Sequence, residues 1–359
     1  MISLVTYIKM VKIMSESRKK QATINDVARL AKTSVSTVSR YFNTPDIVGK
    51  RIARRIEEAA ASLHYIRNRR AAATRGHLSG TIGMVVPTLE NSIFAELIEG
   101  LIAQLRQSKQ TILISSNVND GGNEKDAVRA FVEQGVDGII LIGTEHDSHV
   151  LNLLQSRQLP VLCIWNYADN FVIDTVGIDN IEIGYRAASH LVELGHLEIG
   201  CIFGLSGTND RASSRKSGIL QCLGEHALTP PPHWQLETAY DLRSAKTIAH
   251  NLLSQPERPS AVVCGNDVIA FATIWAAQSL GLNVPADISI MGIGDFQGAA
   301  EMTPALSTIR IPAHTVGRLS ANRMMELIEA ETKQTPRHLK VDFEMRIRQS
   351  TAPYRVMKK

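Results

Sequence analysis

Disulfides, metal clusters and membrane spans have little to be built from in this chain. Among 359 residues there are four cysteines, Cys163, Cys201, Cys222 and Cys264, scattered through apolar segments with no CxxC spacing. That is the pattern of buried, reduced thiols in a cytosolic protein, not of a disulfide framework or a structural zinc site. No apolar run is long enough to cross a membrane. The weakly apolar stretch from Met1 to Met14 has neither the apolar core nor the small-residue cleavage site of a signal peptide. Residues 1–21 read as a disordered tail, or as the product of an upstream start codon with Met14 the real initiator. Enzyme signatures are missing too: there is no GxSxG elbow, no Walker lysine motif and no HExxH. His190 and His196 make a poor metal pair and suit a structural role. Asn266-Asp267 follows a strand, where a catalytic carboxylate could sit, but no nucleophile or base lies near it in sequence. Binding is the better reading, with no cofactor and no metal.

What the chain does have is a charge imbalance. Residues 1–78 hold 16 of the 39 Lys/Arg and 5 of the 35 Asp/Glu, a net of +11. The remainder therefore holds 23 basic against 30 acidic residues, a net of −7. A basic head on a mildly acidic body points to a polyanion-binding module attached to something else.

The head carries a helix-turn-helix pattern. Thr23 is a good N-cap, Asn25-Asp26 suit a first turn, and Ile24, Val27, Ala28, Leu30 and Ala31 form an apolar face. Lys32-Thr33 makes the turn. Ser34 caps a second helix over about 34–42, in which Ser36, Thr37, Ser39 and Arg40 are polar. Val38, and with it Val35, faces either inward or towards a base. After Thr44-Pro45 a third helix is expected over about 50–63, burying Ile52, Ile56, Ala59, Ala60 and Leu63. A second helix lined with hydroxyls and ending in a guanidinium is narrow enough for a DNA major groove.

The body, residues 79–353, alternates strand-like and helical patterns. Strands are expected at 81–86, 111–114, 138–142 and 161–164, and again at 199–203, 261–264 and 288–291. Helices are expected over about 93–107, 123–134, 147–157, 181–195, 211–226, 241–254, 266–281 and 314–330. Alternating βα units imply parallel sheets covered on both faces. Two such series suggest two lobes, with a ligand cleft beyond the strands' C-terminal ends.

The segments Thr-Ile-Asn-Asp-Val-Ala (23–28), Thr-Val-Ser-Arg (37–40) and His-Tyr-Ile-Arg-Asn-Arg (64–69) resemble the lactose-repressor/galactose-repressor family of bacterial transcription regulators. So do Leu-Gly-Leu-Asn-Val-Pro-Ala-Asp-Ile-Ser-Ile-Met-Gly (280–292) and Thr-Pro-Ala-Leu-Ser-Thr-Ile-Arg (303–310), and the resemblance runs from residue 22 to about 353. It implies an α/β protein: a three-helix helix-turn-helix head (22–67), a hinge helix or linker (68–78), and a two-lobed periplasmic-binding-protein-like body for effector binding and dimerisation. Val35, Ser36 and Arg40 would read operator bases, and Ser34, Thr37, Ser39 and Asn43 would mainly contact the DNA backbone. Thr23 belongs to the same DNA-binding set, as do Asn68, Arg69, Ala72 and Thr74 of the hinge.

Three departures stand out. Lys32 replaces the usual turn glycine, so a left-handed backbone there would cost about 1 kcal/mol or the turn would be shaped differently. Arg67 replaces a proline. Thr74 replaces a leucine that wedges into the minor groove in relatives, so a shallower kink is expected, with Arg69, Arg70 and Arg75 compensating electrostatically. The plainer alternative is that this arginine-rich stretch is a solvated linker.

By the same resemblance, Phe94, Asn209, Arg211, Arg215, Tyr240, Asn266 and Asp295 are the expected effector contacts. Phe94 and Tyr240 offer flat faces, the asparagines and Asp295 hydrogen-bond hydroxyls, and Arg215 clamps a carboxylate or serves a salt bridge within its lobe. Many sugar-binding relatives end a late strand in paired acids, whereas this chain reads Ile293-Gly294-Asp295. A missing anion and an added cation at Arg211 favour a sugar acid over a neutral sugar. Trp165 and Asn166 follow a strand and add specificity, or Trp165 is simply core. The expected function is a cytoplasmic, homodimeric repressor of carbohydrate or sugar-acid catabolic genes, released from a pseudo-palindromic operator by a small effector. A solute-binding protein of a transport system, or a sugar-metabolising enzyme with a DNA-binding head, are the alternatives.

Overall fold

The computed structural model describes residues 22–66, 78–116, 123–207, 209–330, 332 and 335–354. The chain divides into two compact units, Met1–His77 and Leu78–Lys359.

Among its described residues the first unit has three α-helices, α1 (Ile24–Leu30), α2 (Val35–Asn43) and α3 (Lys50–Ser62). Thr23 and Asp26 form a reciprocal capping box at the start of α1, and the Ser34 hydroxyl accepts from the Thr37 amide at the start of α2. Val27, Ala28, Ala31, Val38, Ile56 and Ala59 form the small core. Lys32 adopts the left-handed conformation, φ 49°, so the turn keeps a glycine-like shape without glycine. The Arg55 guanidinium closes over it, donating to the carbonyls of Ala31 and of Lys32, the latter at 3.1 Å.

The second unit holds two six-stranded sheets. In chain order its elements are β1 (Thr81–Val86), α4 (Ser92–Gln107), β2 (Thr111–Ser116), α5 (Asn123–Gln134), β3 (Gly138–Ile142), α6 (Ser148–Arg157), β4 (Val161–Asn166) and β5 (Asp174–Ile178). The chain then crosses to α7 (Asn180–Glu193), β6 (Ile199–Gly204), α8 (Asp210–Glu225), β7 (Gln235–Thr238), α9 (Leu242–Leu253), β8 (Ala261–Cys264), α10 (Asp267–Ser279), β9 (Ser289–Gly294) and β10 (Ser307–Arg310). It returns for α11 (Ala313–Glu329) and β11 (His338–Lys340), and crosses again to β12 (Glu344–Arg346). The sheet orders are β11-β5-β4-β3-β1-β2 and β12-β10-β9-β8-β6-β7. Each lobe is thus stitched from distant stretches of chain, with three crossovers between them.

Among the described residues all strand pairings are parallel except β10 with β12, which is antiparallel. Five strands, β5, β7, β10, β11 and β12, lie outside the expected set. They are three to five residues long, and several carry polar residues that break the apolar run by which a buried parallel strand is read. Side-chain caps start α6, α7, α8, α9 and α10 as they leave the sheets: Asp147, Asp179, Asn209, Asp241 and Asn266 each accept from a first-turn amide. Helices α7 and α8 cross closely at Gly184 and Gly218, where any Cβ would run into the facing backbone. That crossing sets the position of Arg215. A continuous buried apolar cluster runs from the first lobe (Met84, Leu97, Ile140) into the second (Phe203, Val263, Met291).

Candidate DNA-binding face and ligand cleft

In the head, α2 presents a mixed face. Val35 is 37 % exposed although apolar, whereas Val38 is wholly buried. Ser34, Ser36 and Arg40 are exposed, and Thr37 and Ser39 are half-buried. The Ser34 hydroxyl lies 2.8 Å from those of Ser36 and Thr37, a cluster of groups that can donate or accept. Arg40 has no ion pair among the described residues. The Thr23 hydroxyl donates to Asp26 at 2.7 Å and caps α1. Asn43 ends α2, but its side chain falls outside the described set, as do Asn68, Arg69, Ala72 and Thr74 with the rest of the expected hinge.

In the body, about 490 Å³ of space, open solvent at the mouth included, lies between the lobes. Phe94, Asn209, Arg211, Arg215, Tyr240 and Asn266 all line it. Trp165, at the end of β4 in a left-handed conformation (φ 80°), lines it too, its ring centroid 5.4 Å from that of Phe94. Asn209 and Asn266 spend their side-chain oxygens on capping α8 and α10. Their amide NH2 groups remain as donors. Arg215 is buried, and burial pushes its guanidinium pKa down. It donates to Asn180 Oδ1 at 2.8 Å and to the Gly265 carbonyl at 3.0 Å. No carboxylate stands within ion-pair distance of it among the described residues.

Family models match both units: one of bacterial regulatory proteins of the lacI family over residues 23–68, and one of a periplasmic binding protein-like domain over residues 188–351. The HTH-type transcriptional repressor PurR of Pectobacterium atrosepticum is 32 % identical over 313 residues, covering 86 % of this chain and 91 % of that repressor. This chain belongs to the lacI family of bacterial regulatory proteins. Among solved structures, the lac repressor dimer bound to operator and an anti-inducer aligns with TM-score 0.82 at 25 % identity, covering 93 % of this chain and all of that one. A transcription regulator GntR from Chromobacterium violaceum aligns with TM-score 0.71 at 25 % identity, over 76 % of this chain and 99 % of that one.

Two expectations for this family member change on its geometry. Asp295 is not in the cleft lining; Arg348 donates to its Oδ1 at 2.6 Å, and the next residue, Phe296, lines the space instead. Arg211 is not a spare cation, because Asp210 accepts from it at 2.9 Å. The acid closer to the interior is Asp267, fully buried, accepting from Thr308 Oγ1 at 2.6 Å and the Phe296 amide at 2.7 Å. Burial pushes its carboxyl up to about 7. Pro87, Thr88, Asn91, Ile93 and Ile311 complete the lining. The first three lie in the expected loop after β1, but nothing in the pattern of Ile311 marks it. Across the described residues no helix is long and apolar enough to cross a membrane.

Proposed function

We propose that this regulator is a cytoplasmic, homodimeric repressor whose effector is a small hydroxylated carboxylate, such as a sugar acid. The observation that carries the effector reading is the lining itself, which among the described residues holds two arginines but no aspartate, glutamate, histidine or cysteine. With Arg211 neutralised by Asp210, Arg215 is the cation that a ligand carboxylate would complete, through a charge-assisted hydrogen bond. The NH2 groups of Asn209 and Asn266 suit hydroxyl or carboxylate oxygens, and Phe94, Trp165 and Tyr240 suit a carbon skeleton. The same lining lacks a nucleophile–base pair, which favours binding over turnover.

On the DNA side, Val35, Ser36 and Arg40 read bases, while Thr23, Ser34, Thr37, Ser39 and Asn43 hold the phosphate backbone. Asn68, Arg69, Ala72 and Thr74 engage the operator centre. Effector binding changes the lobe arrangement and lowers operator affinity. A thermal-shift panel pairing neutral sugars with their acids tests the effector class. Stabilisation by acids is expected, and stabilisation by neutral sugars alone refutes it. A gel shift on the DNA upstream of the gene, reversed by the stabilising acid, tests the repressor.

A further inference from the structure

We infer that Asp210 is a latch between the lobes, holding the cleft closed when no ligand is bound. Asp210 is the first residue of α8 in the second lobe and is buried, although it is not in the cleft lining. Its carboxylate accepts from five donors. Two are its own neighbour's, the Arg211 amide at 2.8 Å and the Arg211 guanidinium at 2.9 Å, both on Oδ1. The other three come from the first lobe and converge on Oδ2: the Thr144 amide at 2.6 Å, the Thr144 hydroxyl at 3.0 Å and the Asn166 side-chain amide at 2.8 Å.

Three further observations bear on the same point. Arg211 also crosses the gap, donating to the Ile142 carbonyl at the end of β3 at 3.1 Å. Gly143, the next residue, has φ 97°, and a Cβ there would meet Asp210 Oδ1 at 2.8 Å as well as the Arg211 guanidinium. The first-lobe backbone therefore closes directly onto the start of α8. Finally, Asn166 passes the contact onward: its Oδ1 accepts from Asn180 at 2.5 Å, and Asn180 Oδ1 accepts from Arg215. Opening the lobes must break the Thr144, Asn166 and Ile142 bonds together, and it would leave a desolvated carboxylate short of three donors until water reached it.

The geometry makes the latch specific for a carboxylate. All five partners are donors, so the isosteric Asp210→Asn change turns an NH2 group towards at least two of them. The latch acts without ligand, so its test is independent of the effector's chemistry. Spin labels at Glu90→Cys and Arg243→Cys, exposed positions on the two lobes, in the loop between β1 and α4 and in the first turn of α9, report lobe separation in the full-length protein, diluted with unlabelled chains. The four native cysteines are buried. In ligand-free protein, the latch predicts one short distance for the parent and an outward shift of the main population for Asp210→Asn. Thr144→Val, which removes the hydroxyl donor but keeps the amide, shifts it less in the same direction. Circular dichroism checks that each variant is folded, and Thr144→Val decides alone should Asp210→Asn fail to fold. Unchanged distances in the folded variants overturn the proposal.

Discussion

A guanidinium taken out of water with no carboxylate beside it is a costly arrangement, and proteins keep such groups where something else completes them. Arg215 is in that position, held by Asn180 and Gly265 but not neutralised. Arg215→Met removes the charge while keeping apolar bulk. Hydrogen bonds to charged groups contribute about 1.5–3 kcal/mol, so affinity for the stabilising acid should fall roughly 10- to 150-fold. Operator binding without effector should persist, and calorimetric titration beside a gel shift measures both. Asp267 gives a second residue-level prediction. Its folded pKa is raised by burial from 3.8 to about 7, so between those values the folded state holds a proton the unfolded state has released. Stability from this group is full below about pH 4 and declines as pH rises to about 7. Asn can accept from the Phe296 amide and donate to Thr308 Oγ1. Asp267→Asn should therefore gain on the parent as pH rises from 4 to 7 and level off above, read by urea unfolding across that range. A stability difference flat with pH would contradict the assignment.

Elements show how far sequence patterns reach. Strands such as β1, β3 and β8 are continuous runs of buried apolar residues, and α6 and α10, which follow β3 and β8, carry side-chain caps at Asp147 and Asn266, so both were legible. Strand β5 begins with Asp174, whose carboxylate accepts from the buried Arg323 at 2.7 Å, a partner 149 residues away. Only the fold makes Asp174 a strand residue. The cleft divides in the same way. Family motifs marked Phe94 and Arg215, but pairing of Asp210 with Thr144 and Asn166 spans 66 and 44 residues and has no local signature. The Lys32 turn is an element-level case of compensation. Its left-handed backbone is accepted beside the two carbonyls that Arg55 holds. Arg55→Ala should destabilise the head by about 1–3 kcal/mol, with faster hydrogen exchange at the Ala31 and Thr33 amides and weaker operator binding. The segment after β12 is tied by histidines. His196 bridges Ser260, Ser289 and the Ala352 carbonyl, and His190 meets Thr351 at 3.0 Å. Burial lowers the pKa of both. The unfolded chain therefore takes up protons first as pH falls below about 6.5, and stability drops there. His196→Gln should lessen that loss between about pH 6.5 and pH 5, even though it lowers stability at neutral pH.

For the whole molecule, charge and coupling belong together. The basic excess lies in residues 1–78 and the acidic excess in the rest, so attraction to DNA is concentrated on the head and its following segment while the body contributes repulsion. A ligand in the cleft can then govern DNA binding only if it favours one of two arrangements of the body that differ in what they permit at the operator. Linkage makes this quantitative. If the acid weakens operator binding by some factor, operator DNA must weaken acid binding by the same factor, and coupling of about 1–3 kcal/mol corresponds to roughly 5- to 150-fold. Titrating the acid into free protein and into the protein–operator complex, at one salt concentration, measures one side of the cycle. Titrating operator with and without saturating acid measures the other. Equal factors are expected from the two routes. Equal acid affinities for free and DNA-bound protein would mean that the cleft and the recognition helix are not coupled, whatever each binds.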